Sequence, residues 1–184
     1  MAATEPLLRV VVADAGPILH LDELGCLDVL NDFAEVLIPP AVWEEIARHR
    51  PAALKGSLVL KKIPVTSEPD ERLKNLGQRF ALHRGEMQAL QLAVERQAQL
   101  FLSAAAAAAR VAAEELGCKL HGTIGLILRS VRCGRRTLAN AISLLEAIPT
   151  RSTLHLKPSL LAQVIQLARQ ENGPPQSPSG ELAQ

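Results

Sequence analysis

Short aliphatic runs alternate with longer stretches of helical periodicity along most of the chain. The runs lie at 7–13, 34–38, 57–63 and 99–103, and their apolar, partly β-branched character predicts buried strands. Two lysines interrupt the run at 57–63, which favours a place at the edge of a sheet. Apolar strands that alternate with helices are typical of a parallel sheet covered on both faces. The pattern therefore predicts an α/β fold.

The stretches between these runs have apolar residues at helical spacing. The first begins near Pro17 and continues to Leu30, and Pro39-Pro40 introduces a second over AVWEEIARHR. Gly117 is placed to end a helix that runs through an alanine tract to Leu116. Further helices are predicted at 69–78, 85–97, 123–133, 137–147 and 158–171.

The length of 184 residues suits one domain with a short tail. We expect a single domain over 1–171 and a disordered tail over 172–184, because GPPQSPSGELAQ is rich in Pro, Ser and Gly. The three cysteines are far apart and include no CxxC pair, which favours reduced thiols. No signal peptide and no apolar run of about 20 residues is evident, so we expect a cytoplasmic protein without a membrane span.

Composition and charge restrict the ways in which the chain could bind nucleic acid. Aromatic residues make up only 2% of the sequence, which argues against a base-stacking surface of the RRM or OB type. The formal net charge of +1 gives no overall attraction to phosphate. A nucleic-acid function would therefore depend on local basic clusters.

An acid follows the first predicted strand directly, in the segment VVVAD that ends at Asp14. In parallel sheets the ligand crevice lies beyond the carboxyl ends of the strands, which makes Asp14 a candidate ligand. Aspartate is also a favoured helix N-cap, and a helix is predicted to follow. The two functions are compatible, and position alone does not choose between them.

Two more acids lie at helix starts. Glu44 and Glu45 flank the apolar stripe of the second helix about equally, so periodicity does not choose between them, and the helix dipole alone would favour both. Glu86 lies at the edge of the stripe formed by Met87, Leu90 and Val94. An inward-facing acid is costly unless it is paired or bound to metal, although a first-turn dipole role is open to it too.

Carboxylates from separate segments that meet in one pocket would suit Mg²⁺ or Mn²⁺, which prefer oxygen ligands and keep water molecules that a phosphate can share. Such a site can polarise a phosphodiester and activate a water molecule. The five histidines have no zinc-ligand spacing, and the sequence contains no Walker A, GxGxxG or GxSxG motif. These observations favour a hard-metal hydrolase over a zinc enzyme or a nucleotide-binding fold.

Taken together, the segments resemble the PIN-domain family, in particular a prokaryotic branch of predicted nucleic-acid-binding proteins related to the VapC-type toxins. The resemblance covers about residues 8–170, and no single motif in it is decisive. The matching stretches are VVADAGPILHLDELGCLDVL, EVLIPPAVWEEI, HRGEMQALQLA, AAEELGCKLHGTIGLILRSVRCG and the terminal LLAQVIQLA.

The resemblance implies a sheet of about five mostly parallel strands flanked by helices on both faces, and an endoribonuclease that cuts single-stranded RNA with Mg²⁺ or Mn²⁺. The residues it marks as catalytic and metal-binding are Asp14, Glu45 (the second Glu of VWEEI) and Glu86. An antitoxin protein and a second copy of the chain are candidate partners, because helices rich in Leu and Ala near the C-terminus suit such an interface, although they suit the core equally well.

The sequence departs from the family at one place. Family members commonly carry one or two aspartates after the strand that ends here at LFLS, whereas this chain has Ser103 followed by alanines over 104–109. The missing acids are expected near Ala105 and Ala106, within one position. Alanine cannot bind metal, so we expect impaired catalysis. The alanines have three explanations: a deliberate inactivating substitution, alanines written in place of residues whose side chains could not be read, or a natural loss of the acids. Helix propensity alone explains the alanines but not the missing acid.

Basic residues flank the acidic motifs. Arg129, Arg132, Arg135 and Arg136 lie in RSVRCGRR, and Arg79, His83 and Arg84 precede Glu86. Of these, His83, Arg84, Arg132 and Arg135 are the candidates for contact with RNA phosphates, although such residues are more often a solvated surface. Two other functions compete with the nuclease: a non-catalytic PIN-like module that binds nucleic acid or protein, and another Mg²⁺ hydrolase, such as a phosphatase, on a similar sheet.

Overall fold

A computed structural model describes residues 10–57, 59–104 and 107–171. Within these residues the chain forms a five-stranded sheet of order β3-β2-β1-β4-β5, and every pairing between neighbouring strands is parallel. The strands are β1 (Val11–Ala13), β2 (Val36–Ile38), β3 (Leu60–Lys62), β4 (Leu100–Leu102) and β5 (Leu120–His121). The predicted α/β architecture with a central parallel sheet is confirmed, and the lysine-containing strand lies at an edge.

Helices connect the strands and cover the sheet. They are α1 (Ala15–Glu23), α2 (Pro40–His49), α3 (Pro51–Gly56), α4 (Glu71–Phe80), α5 (Arg84–Glu95), α6 (Ala107–Glu115), α7 (Thr123–Arg132), α8 (Leu138–Arg151) and α9 (Pro158–Glu171), with a 3₁₀ segment at Leu27–Asp32. Among the described residues, none of these helices has the length and apolar character needed to cross a membrane.

The central strand β1 is buried on both faces, which explains its uninterrupted apolar sequence. Val11 and Val12 have no exposed surface, and Val11 is paired with Val36 on one side and Leu100 on the other. The core is aliphatic apart from Phe33 and Phe101. Because β1 and β4 are neighbours, their carboxyl ends bring Asp14 and Ser103 to the same edge of the sheet.

Four elements of the structure differ from the predicted ones. The first helix stops at Glu23 instead of continuing to Leu30, because Gly25 (φ 70°) follows it and the N–H of Cys26 donates to the carbonyl of Leu21 in a Schellman turn. The short elements α3 and β5 were not predicted from periodicity. Helix α8 continues through Pro149 to Arg151; the proline removes one hydrogen-bond donor, but only two residues follow it in the helix, so its effect is confined to the last turn.

Three predictions fall on positions outside the described residues. These are the start of the first strand over 7–9, the expected place of the missing acids at Ala105 and Ala106, and the tail from 172 to 184.

Candidate active site

Asp14 lies at the carboxyl end of β1 and is also the N-cap of α1. Its Oδ1 accepts a hydrogen bond from the backbone N–H of Ala15 at 2.7 Å, and its own N–H donates to the carbonyl of Leu102 at 2.8 Å. Only 7% of the residue is exposed. The position therefore gives Asp14 the capping geometry and also places an acid at the edge of the sheet where α/β ligand crevices lie.

Ser103 continues the same edge from β4. Its hydroxyl donates to Asp14 Oδ2 at 3.2 Å, and its N–H donates to the carbonyl of His121 at 3.1 Å. The next residue, Ala104, lies against the start of α1: a Cβ at Gly16 would stand 2.9 Å from the Ala104 Cβ. Glycine at position 16 thus permits the chain after β4 to pass close beside Asp14.

Glu45 reaches this region from α2, which packs on α5. The α5 side chain Gln88 accepts a hydrogen bond from the N–H of Ala41 at 3.0 Å and so fixes the start of α2 against α5. A Cβ at Gly85 would lie 3.2 Å from Glu45 Oε2, so the missing side chain gives this carboxylate its place next to the first turn of α5. Glu44, by contrast, is exposed and stands 4.0 Å from the guanidinium of Arg84.

Glu86 lies in the first turn of α5 and is half-buried. Its Oε2 accepts a hydrogen bond from the backbone N–H of His83 at 2.8 Å, as in a capping box. The side chain therefore stabilises the start of the helix while it lies near enough to Asp14 to raise the pKa of that residue. Glu86 therefore has both roles considered from the sequence: it stabilises the first turn of its helix, and it lies near the other acids.

The charge environment of Asp14 shows that Glu45 and Glu86 both act on this residue. The pKa of Asp14 is raised to about 6, mainly by burial and in addition by the negative charges of Glu86 and Glu45. The hydrogen bonds from Ala15 and Ser103 oppose this rise. The structure thus brings Glu45 and Glu86 within electrostatic range of Asp14, at the carboxyl edge of β1 and β4.

The comparison with protein families agrees with this arrangement. A family model described as a PIN domain matches residues 10–170, which includes all five strands and each of the three acids. The chain belongs to the PIN-domain family. No curated protein and no solved structure matches it significantly. The resemblance to the PIN family seen in the sequence is confirmed, whereas the assignment to the toxin branch stays a prediction.

The acids of this PIN domain do not by themselves complete a metal site. Their donor atoms are carboxylate oxygens, as Mg²⁺ and Mn²⁺ prefer. Over residues 10–57, 59–104 and 107–171, however, no three His, Cys, Asp or Glu side chains stand close enough to hold an ion together. Position 104 holds an alanine, which offers no oxygen ligand, so the described residues do not present a complete ligand set for a divalent ion.

The structure separates the predicted RNA-contacting residues into different environments. His83 and Arg84 are exposed at the start of α5, beside Glu86. Arg132 is exposed at the end of α7 and lines a cavity that also contacts Ser103. Arg135 forms an ion pair with the buried carboxylate of Asp32 at 2.8 Å.

Sequence reasoning did not identify two polar residues beside the acidic cluster. The sequence shows Ser103 only as the residue before the alanines and does not predict that its hydroxyl donates to Asp14. Thr123, 2% exposed at the start of α7, lies 3.1 Å from His20 Nδ1 through its hydroxyl, and burial lowers the pKa of that histidine. Ser103 directly follows β4, which was an available signal, whereas Thr123 is separated by Gly122 from β5, a strand too short to be recognised.

Proposed function

We propose that this PIN domain is a metal-dependent endoribonuclease for single-stranded RNA, and that its acidic site is incomplete in the chain as written. The observation that supports the proposal most directly is Asp14. It is buried at the carboxyl edge of the sheet, and its pKa is raised to about 6 partly by the charges of Glu86 and Glu45. A buried acid whose pKa is raised by burial and by nearby acids is characteristic of functional sites.

Each residue of the cluster has a distinct structural role in the proposal. Asp14 would be the central ligand, since two hydrogen bonds fix its carboxylate. Glu45 and Glu86 would approach from α2 and α5, and Ser103 would orient Asp14. A divalent ion bound by a completed set would supply Lewis acidity and an activated water molecule. His83 and Arg84, at the exposed start of α5, would contact phosphates of the RNA.

The decisive experiment is to restore the missing acids. We expect Ala104→Asp/Ala105→Asp or Ala105→Asp/Ala106→Asp to produce cleavage of a mixed-sequence RNA pool in Mn²⁺ or Mg²⁺, and EDTA to abolish it. The first pair is favoured because Ala104 lies close to Gly16, two residues after Asp14 in the chain. Adding Asp14→Asn to the active version should remove the activity again.

A matched control separates metal binding from changes in local shape. The pair Ala104→Asn/Ala105→Asn has nearly the same side-chain volume without the charge, so it should remain inactive while the fold is unchanged. Chelator-sensitive cleavage only in the aspartate version would support the proposal. If no restored version cleaves RNA, although each is folded and contains bound Mn²⁺, the nuclease proposal is wrong.

A second candidate function is a non-catalytic module that binds nucleic acid or protein. The specific observation in its favour is that no complete ligand set is found among the described acids. This function predicts that the chain as written binds single-stranded RNA equally well in EDTA and in Mn²⁺, and that the restored acids weaken binding by adding negative charge. An increase in RNA affinity with Mn²⁺ in the restored protein would instead favour the nuclease.

Two biological roles are open to such a nuclease: it is either the toxin of a toxin–antitoxin pair or an RNA-processing enzyme. We favour testing the toxin first by inducing the restored variant in a bacterial host, where growth arrest relieved by the product of a neighbouring gene would identify an antitoxin. A candidate surface for such a partner, or for a second copy of the chain, is α9, where Leu160 and Leu167 are 45% and 56% exposed. Sedimentation of the purified chain tests the homodimer.

A further inference from the structure

A cavity of about 490 Å³ adjoins the acidic cluster on the side of β5. Ser103 and Ala104 form the wall that it shares with the cluster, and the first turn of α7 forms another wall. Its volume lies within the range of about 300–1,000 Å³ that small-molecule sites occupy. The cavity is therefore large enough for a small ligand and lies directly beside the proposed reaction centre.

The polar part of the cavity is positive. Arg110 of α6 and Arg132 of α7 both line it and are both exposed, whereas no acidic side chain contributes to its described lining. The first turn of α7 adds backbone N–H groups, since no side chain in the described structure caps that turn. Guanidinium groups and helix N-terminal amides are the common protein partners of phosphate.

Apolar side chains also line the cavity, among them Leu154, Leu156 and Leu160. The first two belong to the segment between α8 and α9, and Leu160 lies in the first turn of α9. His121, also in the lining, is a further flat surface on which a base can pack. Gly125 keeps the cavity open, because it lies seven residues before Arg132 and hence on the same face of α7, and has no side chain.

We propose that this cavity binds one nucleotide of a single-stranded RNA, with its phosphate at Arg132, Arg110 and the start of α7 and its base against the leucines. The inference deepens the proposed nuclease function and rests on it: a nucleotide held here would place the adjoining phosphodiester beside Asp14. The combination of positive and apolar walls distinguishes this ligand from a simple anion, which would not use the leucines, and from an apolar ligand, which would not need the arginines.

The test measures binding and not cleavage, so the chain can be used as written. Adenosine 5′-monophosphate and a fluorescent ten-nucleotide RNA serve as probes, in EDTA. Arg132→Gln should weaken binding of the RNA by about tenfold and reduce the slope of log affinity against log salt by about 0.7. The matched control is Arg151→Gln, which removes the same charge near Gly25, at the other end of α1 from Asp14.

A second pair of variants tests the shape of the cavity. Gly125→Leu should fill it and weaken binding of adenosine 5′-monophosphate by tenfold or more, whereas Gly125→Ala should leave the affinity within about twofold of the starting value. Both substitutions favour the helix, and a Cβ at position 125 meets nothing nearer than His121 at 3.8 Å, so the fold should persist.

The outcomes separate this inference from the proposed function. Binding that depends on Arg132 and on an open cavity supports the inference even if no restored variant cleaves RNA. Cleavage by a restored variant together with unchanged binding in Arg132→Gln and Gly125→Leu would leave the nuclease standing and overturn the nucleotide site. The nucleotide site would also be overturned if neither probe binds, or if the mononucleotide binds and the RNA does not.

Discussion

Replacing Asp14 by asparagine tests the electrostatic strain in the acidic cluster without involving catalysis. Asparagine keeps the size of the side chain, can accept the hydrogen bond from Ala15 through Oδ1, and can donate from its amide to the hydroxyl of Ser103. What it removes is a buried negative charge that faces the charges of Glu45 and Glu86. We therefore expect Asp14→Asn to stabilise the metal-free protein near neutral pH.

The magnitude follows from the pKa of Asp14, which burial and the neighbouring acids raise from 3.8 to about 6. The folded protein holds this proton more tightly than the unfolded chain does, so the contribution favours folding below the unfolded pKa and is lost as the pH rises through the folded pKa. The difference between the two values corresponds to about 3 kcal/mol. The hydrogen bonds to Ala15 and Ser103 are already included in the folded value.

Urea unfolding of both proteins in EDTA, at several values between about pH 4 and pH 8, measures the effect. The gain from Asp14→Asn should be below about 1 kcal/mol near pH 4 and should rise to a plateau of about 2–3 kcal/mol above about pH 7. Comparing the two proteins at each pH cancels the titration of all other groups. A gain in the free energy of unfolding that does not change with pH, or one that falls as the pH rises, would refute a raised pKa at Asp14.

Three further perturbations follow from the same contacts. Ser103→Ala should lower stability by about 1 kcal/mol, more at pH 8 than at pH 4 because the lost hydrogen bond raises the pKa of Asp14 again; equal losses at both values would contradict this. Arg135→Gln should cost about 1–3 kcal/mol at pH 7 and less at pH 4, since it removes the Arg135 ion pair and leaves the buried carboxylate of Asp32 only the weaker attraction of Arg129 and Arg136; a double-mutant cycle with Asp32→Asn measures the coupling. Mn²⁺ at a hundredfold excess over its dissociation constant should stabilise the restored protein by about 2.7 kcal/mol, as measured by calorimetry. The chain as written should gain far less. An equal gain in both proteins would show that the restored acids are not ligands.

The sequence could predict the sheet because its strands are buried on both faces and so carry an unbroken apolar signal. The run that ends at Asp14 is the clearest case: Val11 and Val12 have no exposed surface, and tertiary packing and local pattern agree. Strand β5 consists of Leu120–His121 only, and two residues give no periodicity to detect. The end of α1 was missed for the opposite reason, since leucines continue at helical spacing past the Schellman turn at Gly25.

In the candidate site, too, the features that depend on neighbours in the sequence could be predicted, and those that depend on packing between distant segments could not. Asp14 follows its strand directly, so its place at the sheet edge could be predicted from neighbours in the sequence. The choice between Glu44 and Glu45 could not, because it depends on how α2 packs on α5, where Gly85 leaves space for Glu45. The cavity beside Ser103 could not be predicted either, since it depends on the approach of the leucines near α9 to the start of α7.

The alanine tract is compatible with the fold because the contacts that hold this edge of the sheet do not require acids there. Backbone hydrogen bonds from Asp14 to Leu102 and from Ser103 to His121 connect the strands, and they are independent of the side chain at position 104. Each acid restored after Ser103 would add a charge to a region where Asp14 already has a raised pKa, and so would favour its protonated form further. Stability alone therefore favours alanine at these positions, whereas binding a divalent ion favours aspartate. In the proposed nuclease, acids at these positions are thus residues that only metal binding would retain.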